Sequence, residues 1–183
     1  MTAELTFDRP LDLAAMRRDR HARLVDAMHE QGVDALVLLG QAVGNAVDMI
    51  VTLGRILMGG VCERFPRLRF VLLESGGGWV PTQLERMDEQ VKAFPLEKRW
   101  LSLLPSEYFR RQCWAGFEPE EWNLAACAEW LGPDRVLWAS DYPHPEFHPE
   151  VVKELREAIA PLPDDAQRKI LGENAISAFK LPL

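Results

Sequence analysis

The sequence has few cysteines, no long apolar run and no signal-peptide pattern. Its three cysteines, at positions 62, 113 and 127, include no CxxC pair, which argues against a disulfide framework or a zinc ribbon and favours reduced thiols. No apolar stretch approaches the roughly 20 residues of a membrane span, and the first residues lack the charged-then-apolar order of a secretory leader. We therefore expect a cytoplasmic protein with no membrane partner.

The chain also lacks an excess of basic charge. It has 21 Lys and Arg against 28 Asp and Glu, a net charge of −7. The basic run that begins at Arg17 alternates with acidic residues, which is typical of a solvated helix face. This balance argues against binding to a phosphate backbone, so we expect no nucleic-acid partner.

Helical and apolar strand patterns alternate along the chain. A first helix capped by Asp12 ends at Gly32, and the remaining predicted helices cover 46–63, 79–93, 118–131, 149–160 and 164–178. The predicted strands are 34–39, 70–73, 111–115 and 135–139. Alternating β and α elements predict an α/β fold with a parallel sheet. Because a closed eight-stranded barrel takes about 250 residues, we expect an open sheet of about four strands or half of a TIM-like barrel.

A carboxylate and two imidazoles follow the last predicted strand. Asp141 comes directly after the apolar run, and His144 and His148 follow it. Function in parallel α/β folds gathers at the carboxyl ends of the strands. Asp141 with His144 and His148 forms one candidate metal site; the alternative is a proline-stiffened loop with partly exposed histidines, in which Asp141 caps the turn.

The second strand ends in Glu74-Ser75-Gly76-Gly77-Gly78. Glu74 is a candidate acid/base group, and the alternative is a salt bridge or a helix-capping contact. The backbone N–H groups of the glycines could hold an anion at the start of the next helix, or the glycines could simply allow a tight turn. The stretch lacks the lysine of a P-loop, and no GxSxG motif supports serine hydrolase chemistry.

Tryptophan is abundant, with six residues. Trp79 and Trp138 lie near predicted strand ends, so together with Ser75 they are predicted to line a substrate pocket. The alternative is that these large side chains belong to the core.

Three blocks of the sequence resemble the C-terminal half of the amidohydrolase-related (amidohydrolase 2) family, over about residues 43–183. They are GGVCERFPRLRFVLLESGGGWVPTQLERMDE (59–89), DRVLWASDYPHPE (134–146) and ILGENAISAF (170–179). The family includes aminocarboxymuconate-semialdehyde decarboxylase and the resorcylate-type decarboxylases. The resemblance implies a (β/α)₈ barrel with a divalent metal, Zn or Mn, that hydrolyses or decarboxylates a small carboxylic or aromatic acid. It also implies that Asp141 is the metal ligand of the eighth strand, which can hold or deprotonate water.

The same resemblance implies an HxH pair on the first strand and a histidine on the fifth. This chain has four histidines, at positions 21, 29, 144 and 148, and no HxH. Two hypotheses follow. The chain is a metal-dependent hydrolase or decarboxylase with an incomplete metal site, or it is a catalytically silent, truncated barrel domain. An unpaired sheet edge in such a half barrel predicts self-association into a homo-oligomer.

Residues 7–41 resemble the start of the creatinase and aminopeptidase P type metallopeptidases. This resemblance places a domain boundary between 1–41, a helix-strand lead segment, and 42–183, the barrel-derived part. An interaction module built on the lead segment is a third hypothesis.

Overall fold

The computed structural model describes residues 35–39, 45–94, 100–144 and 147–182. The chain divides into two compact units, Met1–Asp34 and Ala35–Leu183, and the description that follows concerns the second. The predicted first helix, with His21 and His29, lies outside the described residues. The predicted boundary between 1–41 and 42–183 stays a prediction.

Four parallel strands form one sheet in the order of the sequence. The strands are β1 (Ala35–Leu39), β2 (Arg69–Leu73), β3 (Cys113–Phe117) and β4 (Val136–Trp138). In this register Leu39 pairs with Leu73, and Phe117 pairs with Trp138. The carboxyl ends of all four strands therefore meet at one edge of the sheet. The predicted α/β fold with a parallel sheet is confirmed.

Helices connect and cover the strands. They are α1 (Asn45–Met58), α2 (Val61–Arg64), α3 (Val80–Ala93), α4 (Pro105–Gln112), α5 (Leu124–Leu131), α6 (Val151–Ile159), α7 (Asp164–Arg168) and α8 (Asn174–Phe179). A 3₁₀ turn, Pro133–Arg135, precedes β4, and a π-helical segment, Lys169–Glu173, joins α7 to α8. In the ranges that the structure describes, no helix combines the length and the apolar character needed to cross a bilayer.

The main core lies between one face of the sheet and the helices. Alternate residues of β2 and β3 point to this side, including Phe70, Leu72 and Phe117, all nearly inaccessible to solvent. Leu53 of α1 and Leu84 of α3 are completely buried against them. Each such side chain contributes about 1.5–3 kcal/mol of burial free energy. This packing fixes the strand ends that carry the candidate site.

The opposite face of the sheet carries a smaller cluster. Val71, Trp114 and Leu137 are buried there against Ala178 of α8. The Arg69 Nη1 group donates a hydrogen bond of 2.7 Å to the carbonyl of Ser177. The last helix thus covers this face of the sheet and is tied to the first residue of β2.

Three predicted elements have clearly different bounds in the structure. The predicted helix over 46–63 is interrupted at Gly59-Gly60, where Gly60 has a φ of 70°, so α1 ends at Met58 and α2 is a separate turn. The stretch before the third strand is helical, as α4, and β3 runs over Cys113–Phe117 instead of 111–115. The predicted helix over 118–131 begins only at Leu124.

Candidate functional site

Three carboxylates follow three neighbouring strands. Glu74 comes directly after β2, Glu118 directly after β3, and Asp141 is the third residue after β4. Because the strands are parallel and adjacent, these residues share the edge of the sheet where the carboxyl ends meet. The sheet topology thus gathers negative charge at one place, and such a cluster attracts cations.

Glu74, Asp141 and His144 come together at this edge. One ligand atom from each lies within 4.8 Å of the other two, and His144 Nδ1 is 2.9 Å from Asp141 Oδ1. Two protein ligands about 2.0–2.2 Å from one ion lie roughly 3 Å apart when they are adjacent in its coordination sphere. Carboxylate and imidazole are donors that Mn²⁺ and Zn²⁺ accept. The three side chains are therefore candidate ligands for a divalent metal by donor type, and the Asp141–His144 pair also has the separation of adjacent ligands.

The backbone at two of these residues is unusual. Glu74 has a φ of 60° and Asp141 a φ of 57°, both in the left-handed region. The only other non-glycine residue with positive φ in the described ranges is Lys180, which ends α8. Left-handed backbone costs a non-glycine residue about 1 kcal/mol or more. The fold thus holds both carboxylates in place against a local backbone preference.

The predicted convergence of Asp141, His144 and His148 is only partly found. His148 Nε2 lies 3.3 Å from Glu154 Oε2, on helix α6, and so pairs away from Asp141. The third member of the cluster is Glu74, which comes from a different strand end. The loop after β4 supplies Asp141 and His144, and the residue after β2 supplies the third candidate ligand, Glu74.

Glu118 is the group at this edge with the clearest electrostatic perturbation. Burial, and to a smaller extent repulsion by the carboxylates of Glu120, Glu121, Glu74 and Asp141, raises the pKa of its half-buried carboxyl from 4.5 to about 7. At neutral pH this group is therefore divided between its protonated and ionised forms.

Ionisation of Glu118 is expected to cost folding stability as the pH rises. The folded state holds the proton up to a pH near 7, whereas the unfolded chain releases it near 4.5. The protein binds more protons folded than unfolded between these values, so the free energy of unfolding falls from pH 4.5 to 7 and above. Since the group is half-exposed, solvent screening limits the effect to the order of 1 kcal/mol.

Glu118→Gln is expected to remove this pH dependence, as measured by urea denaturation at pH 5 and pH 8. The exposed Glu129 of α5 offers the matched control, and Glu129→Gln should leave the dependence as in the wild type. Carbon-detected NMR titration of the Glu118 carboxyl gives the pKa directly, and a midpoint below 5 would contradict the assignment.

The glycine loop after β2 holds an anion that comes from the chain itself. The Glu121 carboxylate accepts hydrogen bonds from Gly77 N at 2.9 Å and from Gly78 N at 2.7 Å. It also accepts one from Glu118 N at 2.9 Å. The predicted ability of the glycine N–H groups to bind an anion is thus used within the fold, and the tight turn is also present, closed by a hydrogen bond from Val80 N to Gly77 O.

The predicted pocket residues make mainly backbone contacts. The Trp79 indole N–H donates to the carbonyls of Ser75 and Gly76, both at 3.0 Å. The Trp138 indole N–H donates to Leu171 O at 3.4 Å. Both rings are partly buried and pack against the main core. Their role as pocket residues, and that of Ser75, stays a prediction.

The sequence of the chain identifies its family. A sequence profile of the family described as Amidohydrolase matches residues 6–181. The chain belongs to the amidohydrolase family. The matched range includes all of residues 7–41, and the predicted resemblance of that segment to creatinase is not shown.

Solved structures share the fold of this amidohydrolase-family chain. An amidohydrolase from Mycobacterium avium subsp. paratuberculosis K-10 matches with a TM-score of 0.72 at 21% identity, over 89% of this chain and 46% of that one. A 5-carboxyvanillate decarboxylase from Sphingomonas paucimobilis matches with a TM-score of 0.63 at 29% identity, over 87% and 46%. A dihydroxybenzoic acid decarboxylase from Polaromonas sp. JS666, solved with bound manganese and the inhibitor 2-nitroresorcinol, matches with a TM-score of 0.61 at 20% identity, over 94% and 48%. The chain spans about half the length of these structures.

Two residues at the site were missed by sequence reasoning. Glu118 was assigned to the start of a helix, although a glutamate directly after an apolar run, Cys113–Phe117, is a signal of a strand-end carboxylate. Glu121 has no local signal, because its partners Gly77 and Gly78 lie 44 and 43 residues away.

Proposed function

We propose that this chain carries part of a metal-dependent active site that acts on a small aromatic or other carboxylic acid, by decarboxylation or by hydrolysis. The observation that supports this proposal most is the convergence of Glu74, Asp141 and His144 where the strands end. Membership of the amidohydrolase family and the likeness to aromatic acid decarboxylases support the substrate class.

The metal would be held by Asp141, His144 and Glu74, and Mn²⁺ or Zn²⁺ suits this donor set. When bound, the ion supplies a Lewis acid that polarises a substrate oxygen. The anionic edge of the sheet favours a cation over a free carboxylate substrate, so the ion must also offset the local negative charge before an acid can bind.

The carboxyl groups of the site can move protons. Asp141 Oδ1 already faces the Nδ1 atom of His144, and this pair can accept a proton from water in a hydrolysis. In a decarboxylation the ring carbon that loses CO₂ takes up a proton, and Glu118, with a pKa of about 7, holds one near neutral pH. Trp79, Ser75 and Trp138 remain the proposed pocket residues.

The edges of the sheet suggest how this chain could associate with a partner. Among the described residues, β1 pairs only with β2 and β4 pairs only with β3, so each of these two outer strands has one unpaired edge. Unpaired strand edges favour association. We include in the proposal a half barrel that pairs with a second copy, giving a homo-oligomer in the cytoplasm.

The proposed activity can be tested with the substrates of the relatives. The purified chain, loaded with Mn²⁺ or Zn²⁺, is incubated with 5-carboxyvanillate or 2,6-dihydroxybenzoate, and CO₂ release is measured. We expect release that depends on the metal and stops in Asp141→Asn. Protein that retains no stoichiometric divalent ion after loading and dialysis would contradict the proposal.

A catalytically silent, self-associating domain is the second candidate. The exposed Trp122 favours it, since 94% of this residue is accessible and tryptophan is enriched in protein interfaces. Light scattering on the metal-loaded sample separates the outcomes. A dimer without metal or turnover supports the silent domain, and a monomer at micromolar concentration contradicts self-association in both candidates.

A further inference from the structure

Glu121 bridges the two loops that carry site carboxylates. Its Oε1 atom accepts hydrogen bonds from Gly77 N and from Glu118 N, both at 2.9 Å. Its Oε2 atom accepts from Gly78 N at 2.7 Å, and Gly77 N is 3.1 Å from it. One carboxylate thus joins the loop after β2 to the loop after β3.

The glycine loop is shaped around this carboxylate. A Cβ atom at Gly78 would lie 2.9 Å from Glu121 Oε2 and 2.7 Å from Asn123 Nδ2. A Cβ atom at Gly76 would lie 3.3 Å from both Glu121 oxygens, at a backbone φ of 61°. Side chains at these positions would push the carboxylate away from the N–H groups. The glycines therefore let the backbone approach the Glu121 side chain closely.

Each bridged loop leads directly to a site residue. Glu74 lies three residues before Gly77, and the Glu118 N–H is itself one of the donors. Hydrogen bonds from N–H groups to an ionised carboxylate are about twice as strong as neutral ones. Their loss would let the two strand ends move independently, and the left-handed backbone at Glu74 would relax more easily.

From this arrangement we infer that Glu121 is a positioning residue, which holds the loops bearing Glu74 and Glu118 in the arrangement that the metal site needs. The inference rests on the proposed function, because it concerns the same metal site. Glu121 does not itself enter the cluster of Glu74, Asp141 and His144. Its effect on a bound ion is therefore through the loops.

The test compares Glu121→Gln with Glu120→Gln. Both variants remove one negative charge from the same loop, but the structure gives Glu120 no hydrogen bond to the glycine loop among the described residues. In Glu121→Gln, an NH₂ group replaces one acceptor oxygen and faces backbone N–H donors, so at least one bond is lost. Mn²⁺ affinity is measured by calorimetry, and the stability of each variant by urea denaturation.

We expect Mn²⁺ to bind about 10-fold more weakly to Glu121→Gln than to Glu120→Gln, as for residues that orient metal ligands. Equal affinities in the two variants, with the wild type binding Mn²⁺, would overturn the inference and leave the metal site intact. The inference would also be overturned if Glu121→Gln were less stable but still bound Mn²⁺ with unchanged affinity under conditions in which the variant is folded.

A second measurement decides the case in which the wild type binds no Mn²⁺ and the proposed function fails. Amide hydrogen exchange is then compared at Gly77, Gly78 and Glu118. Faster exchange at these three amides in Glu121→Gln, with unchanged protection in β2 and β3, supports the bridge. Unchanged exchange at all three overturns it without reference to any metal.

Discussion

Asp141→Asn is expected to weaken Mn²⁺ binding about 100-fold or more. Replacement of a residue that only orients a ligand costs roughly 10–100-fold in metal affinity, and Asp141 is itself a proposed ligand. Asparagine retains the size of the side chain and tolerates the left-handed backbone, so the φ of 57° at this position is preserved. The variant therefore removes the negative charge and one ligand oxygen of Asp141 and leaves the backbone conformation unchanged. Isothermal titration calorimetry with Mn²⁺ measures the effect.

The matched control is Asp165→Asn in helix α7. Asp165 is exposed and pairs with Lys169 at 3.5 Å, so its replacement makes the same change in net charge without touching the edge of the sheet. This variant should bind Mn²⁺ with the affinity of the wild type. If both variants lose affinity equally, general electrostatics and not a site at Asp141 explains the binding. If neither loses affinity, Asp141 is not a ligand.

Gly77→Ala is expected to destabilise the protein by about 3 kcal/mol, the upper end of the usual cost of overpacking a core. A Cβ atom at this position would lie 2.2 Å from Cε2 of Phe117 and 2.4 Å from two further ring carbons. The Phe117 ring is buried, with 1% of it accessible, so it cannot move aside. Urea denaturation should show a lower midpoint with an unchanged slope.

Gly54→Ala provides the comparison within the same chain. A Cβ atom at Gly54 has nothing within 4 Å, and the residue lies inside helix α1. Alanine is favoured over glycine in a helix interior by roughly 0.8–1.0 kcal/mol, so this variant should be more stable than the wild type. A Gly77→Ala protein that is as stable as the wild type would show that the loop and ring can separate without cost.

The sheet could be predicted from local apolar pattern alone. The predicted strand 70–73 lies within β2, and the predicted 135–139 includes β4. Both runs are short, apolar and bounded by polar or turn residues, so the local signal and the buried environment agree. The position of Asp141 after the fourth strand followed from the same signal.

The third strand was displaced because the helix before it was missed. No helix was predicted before the third strand, although Pro105 occupies the first position of α4, where proline is well tolerated. With α4 unrecognised, the predicted strand began two residues early and ended at Ala115. Its true last residue is Phe117, so the carboxylate at the strand end, Glu118, was assigned to a helix. The missed helix thus hid a site residue.

Long-range contacts explain what the sequence could not show. The approach of Glu74 to Asp141 and His144 depends on β2 and β4, which lie in one sheet with β3 between them and are far apart in the chain. The same holds for Glu121, whose carboxylate fills the glycine loop. A run of glycines permits either a tight turn or an anion-binding loop. In this fold the loop forms both, and the anion that it binds is the Glu121 carboxylate.

The last helix, packed on the second face of the sheet, has a consequence for how this protein tolerates change. Trp114 and Leu137 are buried on that face, whereas Glu74, Glu118 and Asp141 follow the strand ends. Substitutions that adapt the loops to a new substrate therefore fall at a distance from the contacts that seal the second face. This division between a covered face and variable strand ends is the arrangement that lets parallel α/β folds diversify their chemistry while they keep their framework.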